Sequence, residues 1–247
     1  MSKSVLKSAR LYYDEFDLTS EHNRFKLDLS NDAKDKTVFG TNSRGRANGI
    51  NAFDLEHSGF FDAGAGLIDT VVSPNLGVAN KLISLCPDGI TEGNISYFSQ
   101  GVSLKYEMAG EVGDMFAFAA AAHSEGVPII RGTILASGNK AADANGTAFQ
   151  VGAVSATQYL YAAIHLTSFT GTSIDVKIQS DSAEAFDASP ADRITFTQLT
   201  DVGSEFATRV SGAITDTWWR VVLDVEGGSP HASVILVEMG ISKTAFK

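Results

Sequence analysis

The chain has 247 residues, of which 44% are hydrophobic and 19% charged, and its formal net charge is −10. This composition is too apolar for a disordered chain and fits one large or two small globular domains. The acidic balance argues against a surface that grips nucleic acid by phosphate neutralisation, because such a surface needs clustered Lys and Arg.

The cysteine count and the hydropathy of the sequence argue against a disulfide-bonded, secreted or membrane-spanning protein. Cys86 is the single cysteine, so an internal disulfide is excluded. The first residues lack the apolar core of a signal peptide, and no apolar run approaches the ~18 residues that span a bilayer. We therefore expect a protein that is made in a cytoplasm and stays there at least until it assembles.

The first half of the chain is predicted to be β-rich with one helical segment. In chain order we predict a strand in 4–18, a strand over 24–30, a polar turn over 31–36, a long loop over 37–50, a strand over 53–60, a helical segment over 62–85, and a hairpin formed by strands 95–108 and 114–123. Strict apolar alternation supports the strand over 24–30. Pro74 would kink a continuous helix, so we expect one or two short helices, with Ser73 as an N-cap.

A domain boundary is predicted near residues 125–128, which places a first domain at 1–126 and a second at 127–247. Beyond the boundary the chain is rich in Thr, Ser, Ala and Val, with regular turn signals. The predicted strands are 129–137, 147–154, 159–169, 173–180, 193–197, 205–210, 218–226 and 232–241. Their number and spacing predict a second all-β sandwich domain.

The sequence offers no recognisable catalytic or metal-binding motif. The five histidines are scattered without metal-ligand spacing, and there is no G-x-S-x-G, phosphate-binding glycine loop or C-x-x-C. The acidic stretch 181–192 resembles a calcium loop only faintly, because it lacks the required glycine and spacing. We predict a protein that is not an enzyme and that has no cofactor and no metal site.

Two adjacent tryptophans, Trp218 and Trp219, fall in a predicted strand. Adjacent residues of a strand point to opposite faces, so one should enter the core while the other faces outward. The outward tryptophan could serve a subunit contact, where aromatic residues are enriched, or stack on a sugar ring.

The long loop carries the residues that we select as a candidate subunit contact. They are Lys34, Lys36, Phe39, Asn42, Arg44, Arg46 and Asn48. The planar fork of arginine suits bidentate pairing with carboxylates at interfaces, and this protein offers many carboxylates. A solvated basic turn is the alternative interpretation of Arg44 and Arg46.

Four features of the first half occur together in a known family. The segment L-Y-Y-D-E-F-D-L-T (11–19) precedes the alternating F-K-L-D-L-S, the loop T-V-F-G-T-N-S-R-G-R-A-N-G-I (37–50) follows, and S-G-F-F-D (58–62) leads to the helical segment. Over about residues 10–125 the chain resembles the tail tube (major tail) proteins of long-tailed bacteriophages and related contractile or gene-transfer particles. The proline in the helical segment, Pro74, is a departure from that pattern.

The resemblance implies a structural role in a virion tail. Family members have a small β-sandwich or half-barrel flanked by a helix, and they self-assemble into rings that stack through extended loops. The stacked rings form an acidic conduit through which DNA is ejected without specific binding. By position, the loop over 31–50 would be the stacking loop. The partners implied are copies of the same chain and other tail proteins: the tape measure, terminator and distal tail proteins.

Two arrangements of the ring and three other functions stay open at this point. Three chains, each with two tube-like domains, would form one ring, or six chains would carry the second domain outside the tube wall. The alternative functions are a capsid decoration protein, which would be a compact trimer without a stacking loop, and a receptor-binding tail component. A glycan hydrolase would need two convergent carboxylates.

Overall fold

The computed structural model describes residues 7–40, 42–187, 189–227 and 232–243, with position 48 described for its backbone alone. The protein is mostly β, as predicted. In the described part of the chain a 3-10 turn lies at Thr19–Glu21, and the α-helix α1 spans Ile68–Val72. The strands are β1 (Arg10–Tyr13), β2 (Phe16–Asp17), β3 (His22–Asp35), β4 (Arg46–Phe60), β5 (Lys81–Cys86), β6 (Ile95–Ala109), β7 (Ala117–Ser124), β8 (Ile130–Lys140), β9 (Ala144–Asn145), β10 (Phe149–Gln150), β11 (Tyr159–Thr170), β12 (Ser173–Asp181), β13 (Ala191–Thr195), β14 (Gly203–Phe206), β15 (Val210–Ser211), β16 (Trp218–Glu226) and β17 (Ala232–Ser242).

The chain divides into two compact units. Unit 1 comprises Met1–Ser20, Lys81–Ser99 and Ile130–Lys247, and unit 2 comprises Glu21–Asn80 and Gln100–Ile129. Unit 2 is therefore built from two segments inserted into unit 1. The predicted domains 1–126 and 127–247 have a single boundary, whereas unit 1 consists of three separate segments of the chain. Strand pairing between these segments, which are far apart in sequence, brings them together in one unit.

Unit 1 is a sandwich of two antiparallel sheets. One sheet has the order β14-β11-β17-β8-β6-β5-β1-β2 with β15 beside β11, and the other has the order β10-β16-β12-β13 with β9 beside β16. The core between them includes Leu160 and Val237 from the first sheet and Ile178, Trp219 and Val221 from the second. Apolar residues at alternate positions supply both inner faces, which is the arrangement that period-two sequences favour.

Unit 2 contains a four-stranded antiparallel sheet and α1. Its strand order is β3-β4-β7-β6, where β6 contributes its second half, from Gly101 onward. Along β4, Phe53, Leu55 and His57 are buried while their neighbours are more exposed. This alternation confirms the predicted strand over 53–60 and places one face of β4 in the unit 2 core.

The structure corrects the predicted helical segment over 62–85. Only Ile68–Val72 is helical, and Ser73 is the C-cap of this helix rather than an N-cap. Residues from Lys81 form β5, in which all but the first residue are buried. A strand buried on both faces lacks polar alternation, so its apolar run is easily mistaken for a buried helix.

Candidate functional site

A two-stranded ribbon extends from the sheet of unit 2. Strand β4 pairs with β3 along almost its whole length, but with β7 only from Asp54 to Phe60. Within residues 46–53, β4 therefore pairs with β3 alone, and the register shifts at Gly49 and Ile50. At ~3.3 Å per residue this ribbon, formed by 29–35 and 46–53, extends about 26 Å beyond the last β4–β7 pair.

The ribbon corrects the predicted turn over 31–36 and the predicted loop over 37–50. Residues up to Asp35 belong to β3 and residues from Arg46 belong to β4, so the connecting loop covers only 36–45. The side chains of 28–35 are exposed. Because residues 31–35 and 46–52 of the ribbon cover no core, they have no apolar alternation by which these parts of the strands could be predicted.

The end of the ribbon, residues 36–46, is called here the basic tip. Its backbone is closed by local hydrogen bonds: Lys36 N donates to Gly45 O at 2.9 Å, and Gly45 N donates to Thr37 Oγ1 at 3.0 Å. Thr37 N in turn donates to Asp35 Oδ1 at 2.8 Å. The backbone of the turn is therefore stabilised by hydrogen bonds within the loop. The Phe39 side chain is fully exposed.

The basic tip concentrates positive charge in an acidic protein. It contains three cationic residues, Lys36, Arg44 and Arg46, and no Asp or Glu. All three are exposed, and in the described part of the chain no carboxylate lies within ion-pair distance of them. Lys34, by contrast, pairs with Asp32. The arginine forks are therefore available for carboxylates of another molecule.

The structure brings the predicted contact residues together. Lys34 lies at the end of β3, and Lys36, Phe39, Asn42 and Arg44 lie in the loop of the basic tip. Arg46 and the backbone of Asn48 belong to the start of β4. The role of these residues in a subunit contact stays a prediction.

A second exposed apolar feature, which the sequence analysis missed, lies between β6 and β7. Residues 110–116, called here the acidic turn, include Glu111 and Asp114 and no Lys or Arg. Val112 is fully exposed, Met115 is 68% exposed and Phe116 is 45% exposed. Three large apolar residues beside two acids in a turn were the signal that could have identified it.

The basic tip and the acidic turn lie at opposite ends of the unit 2 sheet. Along β4 the tip end is Arg46, and the pairing with β7 runs from Asp54 opposite His123 to Phe60 opposite Ala117. The acidic turn directly precedes Ala117, so it lies beyond the end of β4 that is farthest from the tip.

A buried polar cluster in unit 1 contains the residue types of a hydrolase triad. Ser84 Oγ lies 2.7 Å from His165 Nε2 and 2.5 Å from Glu238 Oε2. His165 Nδ1, however, lies 2.5 Å from the backbone oxygen of Asp14 rather than from a carboxylate. Because all three side chains are fully buried, a substrate has no access to the serine, and the cluster does not have the arrangement of a catalytic triad.

Burial sets the protonation of this cluster. Burial raises the pKa of Glu238 to about 7, against hydrogen bonds from Ser84 and Cys86 that favour the anion. Burial also lowers the pKa of His165 to about 4, opposed by its bond to the Asp14 backbone. The Ser84 hydroxyl donates to Glu238 Oε2 when the carboxyl is ionised. A protonated Glu238 can donate to Ser84 instead, and Ser84 can then donate to neutral His165.

The two tryptophans and the calcium-like stretch 181–192 are explained by contacts within the protein. Trp219 is fully buried and its Nε1 donates to Gly152 O at 2.8 Å, while Trp218 is partly exposed, which confirms that the pair divides between the two faces. Asp181, in the faint calcium-like stretch, accepts bonds from the backbone nitrogens of Ala183 and Ser189. Within the described ranges, no group of three or more His, Cys, Asp or Glu is placed to hold a metal ion.

Cys86 is buried, and this burial raises the pKa of its thiol. A buried thiol of this kind is inert rather than reactive. Among the helices of the described residues, none is both long and apolar enough to cross a membrane.

Comparison with known proteins gives structural likenesses of low identity. No family model matches the sequence, and no curated protein matches it. A chain in a solved virion of a native gene transfer agent particle is 12% identical with a TM-score of 0.39, covering 48% of this chain and 94% of that one. A chain in the tail of an empty gene transfer agent particle, solved with C6 symmetry, is 12% identical with a TM-score of 0.34, covering 42% and 78%.

A third solved structure spans nearly the whole chain. It is the SPP1 Dit protein, described as a paradigm of the hub adsorption apparatus in phages that infect Gram-positive bacteria. Its identity is 10% and its TM-score is 0.39, covering 96% of this chain and all of that one. Because the identities and TM-scores are low, any function proposed for this chain rests on its own residues.

Proposed function

We propose that this protein is a structural protein of a phage-type virion tail, which self-assembles into stacked rings and forms the tail tube. The single observation that carries the proposal is the ribbon of unit 2 with its basic tip. A two-stranded ribbon without a core is marginally stable alone, and it ends in a fully exposed Phe39. Such a feature is explained by a partner surface that covers it.

The charge of the chain supports the conduit part of the proposal. A net charge of −10 disfavours binding of a polyanion, which suits a tube through which DNA passes without binding. The cations of the basic tip would then serve contacts between proteins rather than contacts to nucleic acid. The wider tail partners are the tape measure, terminator and distal tail proteins that the family resemblance implies.

The proposal is tested by negative-stain electron microscopy of the purified protein at high concentration. Tubes or stacked rings with a central hole are the expected result. The top views distinguish a ring of three chains, each contributing two tube-like domains, from a ring of six. Discrete compact trimers that never stack would contradict the tube and favour a capsid decoration protein.

The role of the ribbon is tested by Arg44→Ala combined with Arg46→Ala. Both side chains are exposed, so the variant should fold normally but no longer polymerise. Arg131→Ala with Lys243→Ala removes the same charge from exposed positions of unit 1 and serves as the control. Tubes of normal length from the Arg44 and Arg46 variant would exclude this loop from the interface.

A further inference from the structure

We propose that the acidic turn of one copy is the docking surface for the basic tip of a second copy. This inference rests on the proposed self-assembly, and it adds the receiving surface and the polarity of the contact. The occupant is a second copy of the chain because unit 2 carries both halves of a complementary pair.

The first support is charge complementarity. The basic tip contributes Lys36, Arg44 and Arg46 without an acid, and the acidic turn contributes Glu111 and Asp114 without a base. All five side chains are exposed. Opposite charges on the two surfaces steer the encounter and fix its register, and arginine binds carboxylates with two parallel hydrogen bonds.

The second support is apolar complementarity. The tip presents Phe39 fully to solvent, and the turn presents Val112, Met115 and Phe116. The Phe116 ring lies 5.0 Å from the ring of Phe61, so part of this surface is held in place before any partner arrives. Aromatic and methionine side chains of this kind form the buried centre of interfaces, surrounded by polar residues.

The third support is geometry, which excludes contact between the two surfaces within one unit 2 sheet. Arg46 and Phe60 mark the two ends of β4, which is 15 residues long, and this length corresponds to about 50 Å. A pair of complementary patches at opposite ends makes a heterologous, head-to-tail contact. Such a contact does not close on itself in a dimer but continues from copy to copy.

The test uses two charge-reversal variants of the full chain. The tip variant carries Arg44→Glu with Arg46→Glu, and the turn variant carries Glu111→Lys with Asp114→Lys. A control variant carries Glu184→Lys with Asp187→Lys, which are exposed acids of unit 1 with the same spacing. Polymerisation is measured as the sedimentable fraction against protein concentration, and folding by circular dichroism and thermal melting.

Each reversal alone should raise the concentration needed for polymerisation by about tenfold or more, because like charges then face each other across the contact. An equimolar mixture of the tip and turn variants should polymerise again. In the mixture the acidic tip of one variant meets the basic turn of the other, and the two unchanged surfaces also meet. The control variant should polymerise like the wild type.

Three results would overturn the inference. A turn variant that polymerises like the control would show that this surface is not the receiving one, while loss of assembly in the tip variant would leave the proposed function intact. Failure of the folded variants to polymerise when mixed would show that the two surfaces do not meet each other. Wild-type protein that never sediments as polymer would count against both the inference and the proposed function. If the turn variant misfolds, Glu111→Gln with Asp114→Asn replaces it and should weaken polymerisation in the same direction.

Discussion

Replacing Glu238 by Gln will change how the stability of the protein depends on pH. Glu238 is fully buried beside Ser84 and His165. Its carboxyl has an ordinary pKa of 4.5, which burial raises to about 7 in the folded chain. The folded state therefore binds the proton more tightly than the unfolded state does. Gln has a similar shape but cannot take up or release this proton.

The magnitude follows from linkage between protonation and folding. A raised carboxyl pKa contributes stability that is full below pH 4.5 and is lost as the pH rises to about 7. At about 1.4 kcal/mol per pKa unit, this loss amounts to roughly 3 kcal/mol. The contribution of His165 to stability has the opposite pH dependence. Its pKa is lowered from 6.5 to about 4 in the folded chain, so its contribution is lost as the pH falls. Between pH 4.5 and 6.5 the two slopes cancel in the wild type.

In the Gln variant only the His165 slope remains from this pair. The free energy of unfolding of the variant, relative to the wild type, should therefore rise by roughly 3 kcal/mol between pH 4.5 and pH 7. Urea denaturation at several pH values, followed by tryptophan fluorescence, measures this difference. Glu226→Gln, at an exposed position of β16, is the matched control and should follow the wild type. Parallel curves for the Glu238 variant and the wild type would refute the protonated, buried carboxyl.

Three further predictions concern the core, the thiol and the ribbon. Trp219→Phe removes the bond to Gly152 O and leaves a cavity, so unfolding free energy should fall by about 3 kcal/mol in urea denaturation; an unchanged midpoint would contradict the buried position. Cys86 is buried and its thiol pKa is raised. A thiol reagent at pH 8 should therefore label the native protein far more slowly than the urea-unfolded protein, and equal labelling rates would contradict the burial of Cys86. A Cβ at Gly49 would lie 2.0 Å from the backbone oxygen of Asp32. Gly49→Ala should therefore distort the ribbon and reduce polymerisation while the melting temperature stays unchanged. Tubes of normal length from this variant would show that polymerisation does not depend on the shape of the ribbon.

The strands that the sequence predicted best are those with one face in a core. Residues 218–226 were predicted with the same bounds as β16, because the buried face of a sandwich strand imposes a period of two. The ribbon imposes no such period, so 31–35 and 46–50 could not be recognised as strands. The prediction of β5 was wrong for the opposite reason. Burial of nearly all its residues removes the polar positions of the alternating pattern.

The candidate site was predictable only in part. Charge and glycine content indicate Arg44 and Arg46 from the sequence alone. The acidic turn could be found in the sequence, but its position opposite the tip depends on the register between β4 and β7. The division into two units depends on pairing between segments as distant as β1 and β5, which no local pattern reports.

The position of β17 has a consequence for how the chain folds during synthesis. This strand, the last in the described part of the chain, pairs with β8 on one side and with β11 on the other. Until it has left the ribosome, both of those strands lack their neighbour and present open edges that invite pairing with other chains. Completion of the unit 1 sheet therefore depends on contacts of long sequence separation, which form slowly. The facing edges of β8 and β11 therefore stay open in a nascent chain until β17 has paired with both strands.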